Sequence, residues 1–537
     1  MRDNVQSMLA RMSGMTVLVL APLVYLVLFH GLGRYGLVNG DEGFYHAVAV
    51  KMVETGDFFR LDFHGEHRLY DTFMNAPLQY WGRALAVALF GDGPFAMRIQ
   101  SAVFALASLV LTSVLTLRLA GRRAALLAAA IQLTTFQFVY WHSARTGELE
   151  TATAFFMTAV VATFVRYLET GRGLILHHVC WVLLANWKLP LLFVPLLAEG
   201  AAFALLPAAR ARFFPWLRAA LWVLPLGFSW HLGQLVSHGD GFVAVVRQML
   251  SQAGGAAVEA PRYSLLGNAQ FYLFAVLYGG FPYSLLYPFA FGSLLLARRE
   301  RDRWVVPGLF IAAVFVFFLL VAKHFRWYWT PALPLLSIGV AAWLDRLAVS
   351  RPRFAGIGAA GALLTGLVLL DIDVMGANPF AARTPYLPLV TPLRSLVALP
   401  LMVQALGLFA LGAVGAAALR RDRANAALAG VLLGVSLSVG AARVLWPLQH
   451  LDHRTEMVRV RERVDADLRA GRPLVFPIAV REGGELKVRS LFARDFEIVP
   501  GRAGVSWWLF APGDARAVGS IRRGLPPRSA DGSASAP

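Results

Sequence analysis

Hydrophobic runs of about 20 residues recur along most of this chain, and short polar stretches separate them. An α-helix of that length can cross a lipid bilayer. The pattern predicts an all-α polytopic membrane protein with about 13 transmembrane helices. The predicted spans are residues 14–33, 98–118, 124–142, 150–168, 173–187, 191–207, 217–236, 268–293, 304–322, 329–346, 355–371, 397–419 and 426–446.

The first connection, residues 34–97, is long and contains two apolar stretches that are too short to span. These are Gly43–Thr55, whose apolar residues fall on one helical stripe, and Pro77–Phe90. We expect both to be interfacial helices that lie along the outer membrane surface. Two further long outer connections are predicted at 237–267 and 372–396.

The composition changes after the last apolar run. Residues 1–449 form the predicted transmembrane domain, whereas 450–525 carry many charges. A helical pattern at 454–470 and the strand-like runs "RPLVFPIAV", "DFEIV" and "VSWWLFAP" predict a small extracytoplasmic α/β domain. The tail, 526–537, is rich in Pro, Ser and Gly, which predicts disorder.

Composition and charge agree with a membrane protein. Of the 537 residues, 57% are hydrophobic and only 15% are charged, with mean hydropathy +0.58. The net charge of +18 does not indicate nucleic-acid binding, because arginine clusters follow every even-numbered span, as cytoplasmic connections do. The N-terminus is then cytoplasmic and the C-terminal domain lies outside. The single cysteine, Cys180, excludes an intrachain disulfide.

Some motifs are absent from the sequence. It has no G-x-x-x-x-G-K-[ST] loop and no G-x-G-x-x-G opening a βαβ unit. No cytoplasmic segment is large enough to hold a nucleotide. A group donor would therefore have to be available on the outer side, and a lipid-linked donor is the simplest candidate.

Two adjacent carboxylates, Asp41 and Glu42 in "NGDEGFYH", follow the first span. One interpretation is that Asp41 caps the interfacial helix. The other is that a carboxylate at the membrane surface acts as general base on an acceptor hydroxyl. The two roles are compatible.

More polar groups fall at the same outer level, at the ends of distant spans. Single cations could simply extend to the interface, but acids and bases together suit a lipid phosphate with a carboxylate beside it. The aromatic residues nearby form an interfacial belt, or stack on a sugar. The polar set is Arg145, Glu148, Glu150, Lys188, Lys323, His324 and Arg326, and the aromatic set includes Tyr45, Tyr70, Trp187, Trp327, Tyr328 and Trp329.

Several motifs resemble one family in order and placement. They are "DEGFYHAVAVKMVETGDFF", "APLQYW", "RIQSAVFALASLVL", "WHSARTGELETATAFF", "NWKLP", "GNAQFYLFAVLYGGFPYSLLYPFA" and "KHFRWYWTPALPLL". Over residues 10 to 350 the chain resembles polyprenyl-phosphate-dependent glycosyltransferases of the C superfold, such as protein O-mannosyltransferases and lipid A aminoarabinose transferases.

The resemblance implies roles for individual residues. Asp41 matches the family's catalytic acid, Glu42 completes the acidic pair, and Glu148 falls at the second-loop acid. Lys188 and the set Lys323, His324 and Arg326 would approach the donor phosphate, with Arg145 in the same group. Asn75 departs from the family, because the aminoarabinose enzymes carry a lysine there, and this argues against aminoarabinose transfer itself.

The resemblance implies a glycosyltransferase of the bacterial inner membrane, acting with inversion on the periplasmic side. Its donor would be a sugar on undecaprenyl phosphate, and its acceptor a lipid, protein or glycan. We expect Asp41, Lys188 and Arg326 to share one chamber, with Tyr45, Tyr70, Asn75 and Tyr328 as substrate-binding candidates. No cofactor is implied, and the histidines of the first loop fit no metal-ligand pattern.

Two other classes remain open. A secondary transporter or lipid-linked sugar flippase would keep its coupling acids near the bilayer midplane. An oligosaccharide ligase or polymerase would use a diphosphate-linked donor.

Overall fold

The computed structural model describes most of the chain up to residue 349 and parts of the remainder. Its described ranges are 21–33, 40–63, 66–67, 77–140, 142–253, 265–296, 301–321, 325–349, 421–445, 476–478, 497–500 and 507–510. The predicted spans 355–371 and 397–419, the helix 454–470 and the tail 526–537 lie outside them, as do Tyr70, Asn75, Lys323 and His324.

The chain divides into two compact units. The large unit comprises Met1–Leu32, Leu69–Gly82 and Arg98–Leu451, and the small unit comprises Gly33–Arg68, Arg83–Met97 and Asp452–Pro537. Each is described separately below.

The described residues are mostly helical, as the sequence predicts. A π-helical turn, Tyr25–Phe29, ends the first described helix. The α-helices that follow are α1 Gly40–Thr55, α2 Leu78–Phe90, α3 Pro94–Ala120, α4 Arg122–Leu133, α5 Phe136–Val139, α6 Glu150–Thr170, α7 Leu174–Ala185, α8 Phe193–Leu205, α9 Pro207–Arg210, α10 Phe213–Gly227, α11 Ser229–Ala253, α12 Leu265–Gly280, α13 Tyr287–Leu296, α14 Arg301–Leu320, α15 Leu333–Val349 and α16 Arg421–Leu445. Short 3-10 turns occupy Leu189–Leu192, Tyr283–Leu285 and Thr330–Ala332.

Four helices of the described part are long and apolar enough to cross a membrane: Pro94–Ala120, Glu150–Thr170, Arg303–Leu320 and Thr330–Val349. A fifth span results if the pair Phe213–Gly227 and Ser229–Gln248, which is bent by 46°, counts as one. These helices confirm the prediction of a multi-pass helical membrane protein, while the number 13 stays a prediction.

Large apolar side chains point away from the protein on several helices. Phe214 and Trp222 of α10 are 77% and 78% exposed, and Ile175 of α7 is 71% exposed. Water-soluble proteins seldom expose so much apolar surface, whereas lipid solvates it at no cost. This exposure is what a lipid-facing helix surface requires.

The centre of the large unit is formed by helices that neighbouring helices cover. α15 packs against α4, α13 and α16, and almost all its residues from Leu333 to Leu344 are buried. α6 packs against α7 and the Thr330–Ala332 turn. α6 ends at Thr170. The next residue, Gly171, has a left-handed backbone (φ 69°) and donates its N–H to the Tyr167 carbonyl at 2.8 Å.

Two predicted features differ in the structure. Residues 237–253, predicted as part of an outer connection, continue helix α11, which bends at Gly239, where φ is 48°. The first interfacial helix was predicted to bury one apolar stripe. In the structure every residue of α1 from Glu42 to Val50 is buried, on all faces of the helix. The predicted position of this helix along the outer membrane surface stays a prediction.

Small strands occur in two places outside the spans: the first outer loop, where none was predicted, and the C-terminal segment, where they were predicted. β1 Asp62–Phe63 pairs antiparallel with β2 Glu66–His67. β3 Phe476–Ile478, β4 Glu497–Pro500 and β5 Trp507–Phe510 form an antiparallel sheet in the order β3-β5-β4. The strands β3 and β5 fall within the runs "RPLVFPIAV" and "VSWWLFAP", and β4 overlaps "DFEIV" and extends one residue beyond it. The α/β domain as a whole stays a prediction.

Helices α7 and α8 form a hairpin that polar contacts hold at its base. His177 Nε2 of α7 lies 3.1 Å from Glu199 Oε2 of α8, and Trp181 Nε1 donates to Glu199 Oε1 at 3.0 Å. All three side chains are fully buried. A buried acid–base pair joined to an indole N–H is costly to break, so it fixes the two helices to each other.

Arg145 holds the end of the first helix. Its guanidinium is fully buried and donates to the carbonyls of Val27 at 2.9 Å and His30 at 2.6 Å. Carbonyls at a helix C-terminus lack intrahelical partners, and a cation there also complements the helix dipole. These contacts favour a structural role for Arg145, and its predicted contact with the donor phosphate stays a prediction.

We therefore expect Arg145→Met to destabilise the fold by roughly 2–4 kcal/mol, because two buried carbonyls lose a charged donor. The apparent unfolding temperature of the purified protein in detergent measures this. Arg326→Met, at an exposed arginine, is the matched control and should change it little. Wild-type stability of Arg145→Met, together with lost donor binding, would instead place Arg145 at the phosphate.

Candidate functional site

The structure distributes the predicted site residues over the two units. Asp41, Glu42 and Tyr45 belong to the small unit, whereas Arg145, Glu148, Lys188, Arg326 and Tyr328 belong to the large unit. That both sets share one chamber stays a prediction.

Asp41 and Glu42 lie in the first turn of α1. The positive end of the helix dipole favours negative charge there. Asp41 is exposed, whereas Glu42 is fully buried. Of the two carboxylates, Asp41 is therefore the one that a substrate can reach.

Contacts within the small unit fix the face of α1 that follows Asp41. His46 Nε2 lies 2.7 Å from Asp92 Oδ1, and the Arg83 guanidinium lies 5.6 Å from the centre of the Tyr45 ring. Arg83 also donates to the Met97 carbonyl at 2.8 Å. These contacts hold Tyr45 in a buried position, and its predicted stacking on a sugar stays a prediction.

In the large unit, the connection between α5 and α6 folds back on itself. The Arg145 N–H donates to Val139 at 2.8 Å, and the Glu150 N–H donates to the His142 carbonyl at 3.1 Å. Ser101 of α3 donates its hydroxyl to the Glu148 carbonyl at 2.7 Å. Residues 143–152 are all buried, so the acids of this connection have fixed positions.

Glu148 forms an ion pair with His142. A Glu148 carboxylate oxygen contacts His142 Nδ1, and the His142 ring stacks on Trp327 with 3.4 Å between ring centres. His142 has a positive φ of 52°, which is uncommon for a residue other than glycine and often marks a functional site. Glu148 therefore lies in direct contact with a histidine, and its predicted role as the second-loop acid stays a prediction.

Lys188 lies at the tip of the α7–α8 hairpin. Its backbone N–H donates to the Leu184 carbonyl at 2.9 Å. Pro190, which cannot continue a helix, lies in the 3-10 turn Leu189–Leu192 that leads to α8. Asn186 anchors the tip by donating to the Gly227 carbonyl at 2.9 Å. The backbone that carries the lysine is thus fixed on both sides.

The Lys188 ammonium lies 2.8 Å from Glu150 Oε1, and 5.1 Å from the centre of the Tyr328 ring. Lys188 is 8% exposed and Glu150 is 2% exposed. A buried ammonium must be paired, and an aromatic face adds a weaker attraction. We call Lys188, Glu150 and Tyr328 the lysine cluster.

Helix dipoles support both charges of the lysine cluster. Glu150 is the first residue of α6, where negative charge is favoured, and Lys188 follows the C-terminal end of α7, where positive charge is favoured. Because α6 and α7 are packed neighbours, these two helix ends meet and their charges pair.

The segment that follows α14 completes this region. Its Trp327 stacks on His142, its Tyr328 faces Lys188, and its Arg326 is exposed. The structure thus brings together the connection before α6, the tip after α7 and the segment after α14. Acids, cations and aromatic rings from three distant parts of the chain therefore lie close together within the large unit.

His142 was not singled out from the sequence, whereas Glu150 was named in the polar set without a partner. Glu150 partners Lys188, and His142 partners Glu148. Both occur in the motif "WHSARTGELE", so the sequence placed them nearby, but neither pairing can be predicted without the path of the chain.

No metal site is indicated in the part of the chain that the structure describes, where no group of three or more His, Cys, Asp or Glu could hold an ion. The chemistry that the lysine cluster can perform is anion binding by an ammonium.

No family model matches this chain. An uncharacterized protein of Aquifex aeolicus (strain VF5) is 26% identical over 350 residues, which cover 63% of this chain. The match spans 65% of that relative's own length.

Two solved structures of one protein are similar to this chain. ArnT from Cupriavidus metallidurans bound to undecaprenyl phosphate has a TM-score of 0.60 and 18% sequence identity, over 89% of this chain and 85% of that chain. ArnT in the apo state has a TM-score of 0.55 and 20% identity, over 81% and 77%. At such identities the likeness shows the fold. This chain therefore has the fold of ArnT. That is the C superfold of the polyprenyl-phosphate-dependent glycosyltransferases, which its sequence motifs predicted.

Proposed function

We propose that the chain is a glycosyltransferase that moves a sugar from a polyprenyl-phosphate donor, undecaprenyl phosphate in a bacterium, to an acceptor on the periplasmic side of the inner membrane. The observation that carries this proposal is the lysine cluster, in which a buried ammonium is held in a fixed position. A fixed cation at the end of spanning helices suits the phosphate of a lipid whose tail stays in the bilayer. The fold shared with ArnT, whose structure has undecaprenyl phosphate bound, supports the same donor.

Lys188 binds the donor phosphate in this proposal. An ammonium carries three N–H donors, and among the described residues Lys188 uses one of them, for Glu150. Arg326, on the segment of Tyr328, adds a second cation, and Lys323 and His324 precede it in the sequence. Their charges stabilise the polyprenyl phosphate as it leaves, and because that phosphate is a weak base no strong general acid is needed.

Asp41 is the proposed general base. The acceptor oxygen attacks the anomeric carbon from the face opposite the phosphate, and its proton passes to the Asp41 carboxylate. The new bond joins acceptor oxygen to carbon, the bond between carbon and phosphate oxygen breaks, and the anomeric configuration inverts. The exposure of Asp41 in the first turn of α1 is compatible with this role.

The acceptor is a lipid, a glycan or a protein with a hydroxyl or phosphate group. Tyr45, Tyr70, Asn75 and Tyr328 are proposed to contact substrate. The pairing of Glu148 with His142 suggests that Glu148 acts by orienting the imidazole. The N-terminus is cytoplasmic and the C-terminal α/β domain periplasmic in this proposal.

Lys188→Met tests the phosphate contact. Methionine is long and apolar, so it fills the space without charge, and we expect donor-dependent transfer to fall at least about 100-fold, since a charged hydrogen bond to the leaving group is lost. The substrate is first identified by mass spectrometry of glycolipids and glycans from a deletion strain, and variants are then compared at equal amounts of folded protein.

His177→Leu is the matched control for Lys188→Met, because it breaks a buried acid–base pair at the opposite end of the same helix. It should lower stability while sparing transfer per folded molecule. Equal losses of transfer in both variants would mean that Lys188 is only structural.

Asp41→Asn tests the base. We expect transfer to fall by 10²–10⁴-fold, the usual contribution of a general base, with donor binding retained. Asp57→Asn is the control, since Asp57 is an exposed aspartate after the same helix whose carboxylate accepts the Phe59 and Arg60 N–H groups. Transfer by Asp41→Asn within a few-fold of wild type would reject Asp41 as the base.

A further inference from the structure

The pair of Lys188 and Glu150 is incompletely hydrogen-bonded. Within the described residues, Glu150 Oε2 is buried and has no hydrogen-bond partner, and the Lys188 ammonium donates a single hydrogen bond. Buried polar groups in proteins are almost always satisfied, and a purely structural buried ion pair needs further hydrogen bonds to repay its desolvation. The unused groups of this pair therefore require an explanation.

Those unused groups lie side by side and differ in kind. Lys188 offers N–H donors and Glu150 offers an acceptor oxygen, with 2.8 Å between the ammonium and the carboxylate. A ligand that satisfies both must present an acceptor next to a hydroxyl. A phosphate that carries a sugar has this pattern, whereas the doubly ionised phosphate without a sugar has no hydroxyl to donate.

The phosphate that carries a sugar and the phosphate without one also differ in charge. The sugar donor is a phosphodiester with one negative charge, whereas the carrier left after transfer is a phosphomonoester with about −1.5 to −2 charges at pH 7. The Glu150 carboxylate neutralises the charge of Lys188, and at this degree of burial its repulsion of an extra negative charge is weakly screened. The pair therefore suits a monoanion better than a dianion.

We propose that Glu150 is a specificity-determining residue that makes the site select the sugar-bearing donor over the spent carrier. Oε1 holds Lys188 in position, Oε2 accepts a hydrogen bond from a sugar hydroxyl, and the carboxylate charge weakens binding of the released phosphomonoester. Glu150 thereby promotes release of the carrier after each transfer. This inference rests on the proposed function of the same site.

Glu150→Gln tests the inference, because glutamine keeps the size of the side chain and a carbonyl oxygen for Lys188 but removes the charge. The full-length protein in detergent is titrated with undecaprenyl phosphate, and binding is measured by native mass spectrometry. We expect Glu150→Gln to bind this spent carrier about tenfold more tightly than wild type, and carrier inhibition of transfer to strengthen by a similar factor. Damage to the fold would weaken binding, so the sign of the change distinguishes the two.

Glu199→Gln, at the other buried acid of the α7–α8 hairpin, is the matched control and should leave carrier binding unchanged. Glu150→Asp keeps the charge, and its affinity for the carrier should not rise. Unchanged or weaker carrier binding by Glu150→Gln, while the wild type binds and Lys188→Met does not, would overturn the role of Glu150 alone. Equal carrier binding by wild type and Lys188→Met would overturn the proposed phosphate site, and this inference with it.

Discussion

A lysine ammonium buried among apolar helices is stable only beside a carboxylate, and this requirement organises the candidate site. Lys188 reaches Glu150 across two neighbouring helices, so the tip of the α7–α8 hairpin and the start of α6 must stay in register. Removing either partner would leave a buried charge without compensation, which is strongly destabilising. The pair therefore constrains where the surrounding segments lie.

Other contacts in the large unit, both next to the pair and farther from it, also hold these segments in place. Trp187 packs on Phe104 and Phe156 and donates its indole N–H to the Leu149 carbonyl at 3.2 Å, next to Glu150. At the other end of the hairpin, His177 and Glu199 prevent α7 from sliding along α8. A cation held this rigidly loses little entropy when an anion binds, so its contact with a phosphate is preorganised.

Much of the fold could be predicted from the sequence, because apolar runs of spanning length are a strong signal. The runs at 98–118 and 150–168 correspond to α3 and α6 with ends shifted by a few residues. The path after residue 236 could not be predicted, since the polar residues around Gly239 suggest a connection although the chain stays helical. Periodicity also could not show that α1 is covered on all faces.

The sequence predicted which segments carry the polar residues of the site, but it did not predict which side chains pair with each other. The predicted order of the spans puts Glu148, Lys188 and Arg326 at the same end of the helices, since alternate helix ends lie on one side of a membrane. That Glu150, and not Glu148, pairs with Lys188 depends on helix packing. Glu148 turns instead to His142, whose strained backbone has no signature in the sequence.

The central claim is that Lys188 and Glu150 form the binding site of a lipid-linked phosphate. An experimental structure of the full-length protein with undecaprenyl phosphate tests this most directly. The claim predicts a phosphate oxygen about 2.7–2.9 Å from the Lys188 ammonium, the distance of a charged hydrogen bond. A lipid phosphate bound elsewhere, with the pair between Lys188 and Glu150 unchanged and out of its reach, would contradict it.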